Sequence, residues 1–141
     1  MRWIIALLAV LGIVAASLAL REHYRNPNDA APCNINDKWD CGAVNKSPQA
    51  VIAGVPVAVI GIVGYLLLAI LALARARMLL MIAALIGLGF SLYLTHIEAD
   101  VLQIWCIYCV ASLSIISAIS LLSVIMVLLG LRKKAQEQAP A

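Results

Sequence analysis

Residues 101–131 read VLQIWCIYCVASLSIISAISLLSVIMVLLGL, without a charged residue among them. A helix crosses about 30 Å of hydrocarbon with roughly 20 residues at about 1.5 Å each. The run exceeds that length, so it predicts a spanning helix that tilts or projects from the membrane. Two cysteines, Cys106 and Cys109, lie near its beginning. Three more apolar runs meet the length: residues 3–20, 51–74 and 78–97. The connection between the second and third is short and so is the one between the third and fourth, which makes those neighbours antiparallel. The expected fold class is therefore an all-α membrane protein: one domain, 1–141, forming a bundle of four transmembrane helices. A long outer loop, 21–50, joins helices 1 and 2.

Composition agrees. Of the 141 residues 65% are hydrophobic and 12% charged, and the mean hydropathy is +1.03. A soluble domain of this size has too little interior for so much apolar surface. A disordered chain is poor in hydrophobics and rich in charge. The sequence contains neither an internal repeat nor a low-complexity stretch. The first run also resembles a signal peptide, with a basic start and Ser17-Leu18-Ala19 as a small-x-small site. Its apolar core is longer than usual for that role, and its loss would leave an odd number of spans.

Lys and Arg set the orientation. Arg2, Arg75, Arg77, Arg132, Lys133 and Lys134 face Glu137 alone on one side of the predicted topology, a net +5. The other side holds Arg21, Arg25, Lys38 and Lys46 against six acids, a net −2. The first side, with both termini, is the cytoplasmic one. The overall +3 reflects topology and implies no nucleic-acid partner.

All four cysteines then fall on the opposite, oxidising side, where disulfides persist. Cys33 and Cys41 lie in the outer loop. Cys106 and Cys109 form a C-x-x-C at a helix start, where free N–H groups and the helix dipole favour thiolate. Zinc does not suit the Cys33 and Cys41 spacing, which forms no second C-x-x-C. Haem attachment needs His where Val110 stands. A purely structural C-x-x-C closes a loop too small to restrain much chain entropy. Two pairs on one face instead suggest a relay: an outer pair meeting a protein in water, and an inner pair meeting a lipid-soluble electron carrier. Exchange between them requires one sulfur of each pair to approach the other.

Several other groups are candidates near such a lipid-soluble carrier. His96, close in depth to the cysteines, is a candidate proton donor. Glu98 and Asp100 either assist it or mark the aqueous turn. Trp105 and Tyr108 are interfacial anchors or aromatic walls of a pocket. Trp39 is positioned to dip a loop segment into the lipid surface. Small residues Gly54, Gly61, Gly64, Gly87, Gly89 and Ser91 allow close helix approach, and Pro56 sits near the start of its span, where a missing N–H does no harm.

The chain resembles the vitamin K epoxide reductase family over nearly its whole length. The resemblance rests on Cys33, on Cys41-Gly42-Ala43-Val44-Asn45-Lys46-Ser47, on Gly54-Val55-Pro56-Val57-Ala58, and on Cys106-Ile107-Tyr108-Cys109. The other quinone-linked thiol oxidase of bacterial disulfide formation carries its C-x-x-C in the first outer loop, the opposite order. The resemblance implies a four-helix bundle around a quinone pocket near the C-x-x-C; the cysteine spacing leaves no metal to be expected. It implies that Cys109 faces the quinone, that Cys106 exchanges with Cys41, and that Cys33 and Cys41 form a shuttle pair. Ser47 matches a family Ser/Thr position near the active site, though a helix-cap serine reads the same way. Leu113 stands where the animal enzymes have Tyr, and their substrate-binding Asn has no match at the start of the second span. Both departures favour protein oxidation with ubiquinone or menaquinone as acceptor over reduction of vitamin K epoxide. The implied setting is a bacterial inner membrane, with the cysteines on the periplasmic side and a separate thioredoxin-like protein as partner. A non-enzymatic membrane scaffold with two structural disulfides is the alternative of a different class.

Overall fold

Apolar runs free of internal proline become helices here, and prolines or left-handed residues mark their limits. The computed structural model of the chain describes residues 1–26, 28–29 and 32–140; positions 27, 30 and 31 of the expected outer loop, and position 141, lie outside the described residues. Helix α1 spans Arg2–Tyr24. A short helix α2, Cys41–Lys46, follows, then one 3₁₀ turn at Pro48–Ala50. The remaining long helices are α3 (Val57–Leu73), α4 (Arg77–His96) and α5 (Ile107–Gln138).

Two expected spans start later than their apolar runs. Val51–Ile52 (β1) and Val55–Pro56 (β2) pair antiparallel, so helix α3 begins only at Val57. Ala53 and Gly54 turn between them at φ 52° and 81°, the backbone that a two-residue hairpin turn demands. Pro56, with its ring-fixed φ of −59° and no N–H to satisfy, is suited to precede a helix. The expected fourth span similarly starts at Ile107, not near 101. Residues Ile97–Leu102 continue α4 as a π-helical turn, and Gln103 then reverses the chain in a left-handed conformation at φ 55°. At its other end α5 runs past Leu131 to Gln138, carrying Arg132, Lys133 and Lys134.

Helix α1 packs against α3 and α5, and α4 against α5. Helix α1 buries small residues, Ala9, Gly12, Ala15, Ala16 and Ala19, of which Gly12 and Ala16 face Tyr65 and Gly61 of α3. Small side chains let helices approach closely, which dispersion alone rewards in lipid. At Gly12 the approach is closest, because a Cβ there would overlap the Tyr65 ring. The Tyr65 hydroxyl reaches across to α5, 2.8 Å from both the Ser112 carbonyl and its Oγ. Ser120 Oγ donates to the Ala84 carbonyl at 3.1 Å, tying α5 to α4. Gly12→Val is expected to force α1 and α3 apart and cost about 1–3 kcal/mol. Thermal unfolding in detergent checks this, and an unchanged midpoint would refute the close seam.

The outer faces are apolar. Leu7, Leu11, Val63, Leu66, Leu85, Ile86, Leu121 and Leu128 all stand exposed. A contiguous surface of this kind belongs in lipid rather than water. Among the described residues three helices, Arg2–Tyr24, Arg77–Leu102 and Ile107–Gln138, are long and apolar enough to cross a membrane; α3 is apolar but has 17 residues.

Candidate active site

Two backbone hydrogen bonds bring the outer segment to the C-x-x-C. Trp105 N donates to the Lys38 carbonyl at 2.7 Å, and Asp40 N donates to the Trp105 carbonyl at 3.0 Å. The two indoles lie 6.3 Å apart. Each bonded stretch leads directly into a cysteine, Cys41 on one strand and Cys106 on the other. Both side chains are completely buried, in one cluster with Cys33 and Val44. Cys33 and Cys41 form a disulfide, while Cys106 and Cys109 are free thiols.

Helix starts hold Cys41 and Cys106. Asp40 caps α2 by accepting from Ala43 N at 3.0 Å, which makes Cys41 its first residue. Cys106 immediately precedes α5. Asn45, one turn along α2, connects the two cysteines: its Nδ2 donates to the Cys41 carbonyl at 2.8 Å and to Cys106 Sγ at 3.5 Å. The Asn45 carbonyl accepts from His23 Nδ1, so the end of α1 holds α2 in place. The hydrogen bond from the Cys109 thiol is the chief reason that the Cys106 pKa lies below the usual thiol range; burial opposes it and Asn45 adds to it. A lowered pKa favours the thiolate, the nucleophilic form of a cysteine.

Cys109 faces a different environment. It lines a cavity of about 460 Å³ between α1, α3, α4 and α5. Alanines of α1, Gly61 and Gly64 of α3 and Gly87 of α4 contribute the space. Of its polar lining, Tyr65 and Ser112 satisfy each other and Thr95 bonds the Ser91 carbonyl. Asn45, Glu98, Tyr108 and Cys109 form its polar end, the Ser91 hydroxyl is a further polar group on the wall, and apart from these groups the chamber is apolar. Ile60, Leu67 and Ile86 line the cavity and are also exposed, so it opens toward the lipid-facing side between α3 and α4.

Glu98 is 3% exposed. Its Oε2 accepts from Cys106 N at 3.2 Å, and it lines the cavity together with Cys109. The π-helical turn and the left-handed Gln103 return the chain so that a residue eight positions upstream caps the C-x-x-C. Such turns often accompany functional sites.

The structure thus brings together Cys33, Cys41, Cys106 and Cys109, and places Cys109 and Tyr108 on the cavity wall. Four other candidates lie off that wall. Trp39 and Trp105 pair with each other beside the disulfide. Ser47 Oγ donates to the Val44 carbonyl at 2.7 Å, a local bond at the end of α2. His96 is 68% exposed and meets the Asp100 carboxylate at 2.7 Å. Two acids are buried at this end: Glu22, paired with Arg25, and Glu98, which lines the cavity and which the sequence left undecided between helper and turn. Asn45 was missed, although its spacing of four from Cys41 puts it on the same helical face.

Among the described residues no group of His, Cys, Asp and Glu is arranged to hold a metal ion. No curated protein matches the sequence. The model of the vitamin K epoxide reductase family matches residues 3–127. That stretch takes in every cysteine, the residues that join the two pairs and all the residues named on the cavity wall. With apolar helices around two apposed cysteine pairs, the chain belongs to the vitamin K epoxide reductase family.

Proposed function

We propose that the protein oxidises the dithiol of a thioredoxin-like protein outside the cytoplasm and passes the electrons to a quinone, supporting disulfide-bond formation. One observation carries this reading. The Cys33–Cys41 disulfide is packed against Cys106, whose C-x-x-C partner Cys109 opens on an apolar cavity. Family membership implies an oxidoreductase at a membrane. The cavity suits a ubiquinone or menaquinone: few polar groups gathered at one end, apolar walls elsewhere, and an opening toward lipid for an isoprenoid tail. A quinone bound there takes up two electrons and two protons and leaves as the quinol.

The chain's own steps are thiol–disulfide exchanges. A partner thiolate attacks the Cys33–Cys41 disulfide and leaves both cysteines reduced as the partner becomes a disulfide. The Cys41 thiolate attacks Cys106 of a Cys106–Cys109 disulfide and releases Cys109. Cys33 then attacks Cys41, which frees Cys106 and restores the Cys33–Cys41 disulfide. The pairing in the structure is the one reached after this transfer. Reoxidation closes the Cys106–Cys109 bond, and Glu98, beside Cys109 at the polar end of the cavity, carries a thiol proton toward the quinone oxygen.

The topology proposed with it has four spans, both termini in the cytoplasm of a bacterial cell and all four cysteines on the periplasmic side of the inner membrane. Helix α3 supports the fourth span, since 17 apolar residues are the lower limit for a crossing helix, in the usual range of about 17–25. The uneven distribution of Lys and Arg supports the orientation.

The test is quinone reduction by the purified protein in detergent, driven by a reduced thioredoxin-like donor. Turnover is expected with a ubiquinone or menaquinone analogue. Cysteines that resist the donor, with no turnover for several quinones, would leave a scaffold with structural disulfides. Cys33→Ala is expected to stop turnover with the protein donor while a small dithiol still reduces Cys106–Cys109. Equal loss with both donors would remove Cys33 from the shuttle role.

A further inference from the structure

At the end of the molecule remote from the cysteines, a second cavity of about 540 Å³ lies where α1 and α4 begin, α3 ends and α5 passes. Arg2, Arg75, Arg77 and Lys133 line it, together with apolar Trp3, Met126 and Leu129. Among the described residues no carboxylate lines it. The ion pairs among the described residues are Glu22–Arg25 and His96–Asp100, both at the other end, so none of these four cations is neutralised by an acid. Four like charges converging on one concavity repel one another unless an anion enters.

The local backbone favours this convergence. Arg75 adopts a left-handed conformation at φ 59°, an uncommon and strained state for a long side chain. With it, Arg75 and Arg77 in the tight α3–α4 turn both reach the cavity. On α5, Gly130 leaves room for Arg77, because a Cβ there would lie 2.9 Å from the guanidinium Nη1. The Arg2 guanidinium sits 5.3 Å from the centre of the exposed Trp3 ring, an aromatic suited to a membrane interface. A general excess of cations at one membrane face accounts for their side. It does not account for their facing one cavity with an apolar floor.

We infer that this cavity binds the headgroup of an anionic phospholipid, with its phosphodiester among Arg2, Arg75, Arg77 and Lys133 and its glycerol and upper acyl chain against Trp3, Met126 and Leu129. Guanidinium groups match phosphate oxygens in charge and geometry. Basic pockets between helix ends are suited to such headgroups.

The test uses the full chain in neutral detergent, titrated with phosphatidylglycerol, phosphatidylcholine or inorganic phosphate and followed by thermal unfolding. Phosphatidylglycerol is expected to stabilise it where phosphatidylcholine does not. Each lost cation is expected to weaken the lipid about fivefold, so Arg75→Gln with Arg77→Gln raises the half-saturating concentration at least about tenfold. Arg132→Gln with Lys134→Gln removes equal charge outside the cavity and is expected to leave it nearly unchanged. Gly130→Ala keeps every charge and displaces only Arg77, and is expected to weaken the lipid by a smaller factor. Equal effects of the two double variants would reduce the site to the general charge of that end. Stabilisation by inorganic phosphate equal to that by phosphatidylglycerol would assign it to free phosphate, and no preference for phosphatidylglycerol would remove the site altogether.

Discussion

Cys109→Ala is expected to bring quinone reduction down to the uncatalysed rate with every dithiol donor. The loss is complete in principle, because the proposed reoxidation ends in a Cys106–Cys109 disulfide and one sulfur cannot form it. The same variant carries a second, positive readout. Cys106 keeps its buried position beside the Cys33–Cys41 disulfide, and Asn45 still bonds both its sulfur and the Cys41 carbonyl. Without Cys109 to compete for it, Cys106 attacks Cys41 and displaces Cys33. A Cys41–Cys106 cross-link with a free Cys33 is expected to accumulate, and mass spectrometry of peptides prepared without reductant detects it. Normal turnover in the variant would sink the relay. Lost turnover without the cross-link would mean that Cys106 does not exchange with Cys41.

The apolar runs, their charge asymmetry and the order of the cysteine pairs were legible because each is a local property of the chain. Length and hydropathy locate helices, and the C-x-x-C needs only its own spacing. The start of α3 was less legible, since Val51 and Ile52 are as apolar as the helix they precede. Their pairing with Val55 and Pro56 depends on the left-handed turn at Ala53 and Gly54. The start of α5 was hidden for a similar reason: Gln103 takes a left-handed conformation that no preceding residue type announces.

The polar members of the site depend on contacts between distant segments. His96 and Glu98 are two residues apart and both ionisable; the sequence favoured His96 as the proton donor, because nothing in its periodicity tells which of the two the turn buries. The π-helical turn separates them, leaving His96 on the outside with Asp100 and turning Glu98 under Cys106. Asn45 acquires its role only when the Trp39–Trp105 pairing lays Cys41 beside Cys106.

Glu98→Gln separates the proton's path from the thiols' chemistry. The amide is close to the carboxylate in shape, and its oxygen still accepts from Cys106 N, so the C-x-x-C keeps its position. It does not accept a proton from Cys109. General acid–base groups contribute about 10²–10⁴-fold to rate, so quinone reduction in the variant is expected to fall by at least about a hundredfold. Exchange between Cys33/Cys41 and Cys106/Cys109 is expected to proceed near its normal rate, because sulfur attack on sulfur does not use the acid. Single-turnover measurements distinguish the two: reduction of the inner disulfide stays fast, and its reoxidation by quinone becomes slow. Glu98→Asp, which keeps the acid on a shorter arm, is expected to recover part of the rate. If both steps slow together and Asp does no better than Gln, Glu98 serves only to position the C-x-x-C. If neither step changes while Cys109→Ala remains inactive, the relay stands and its proton leaves the cavity by another group.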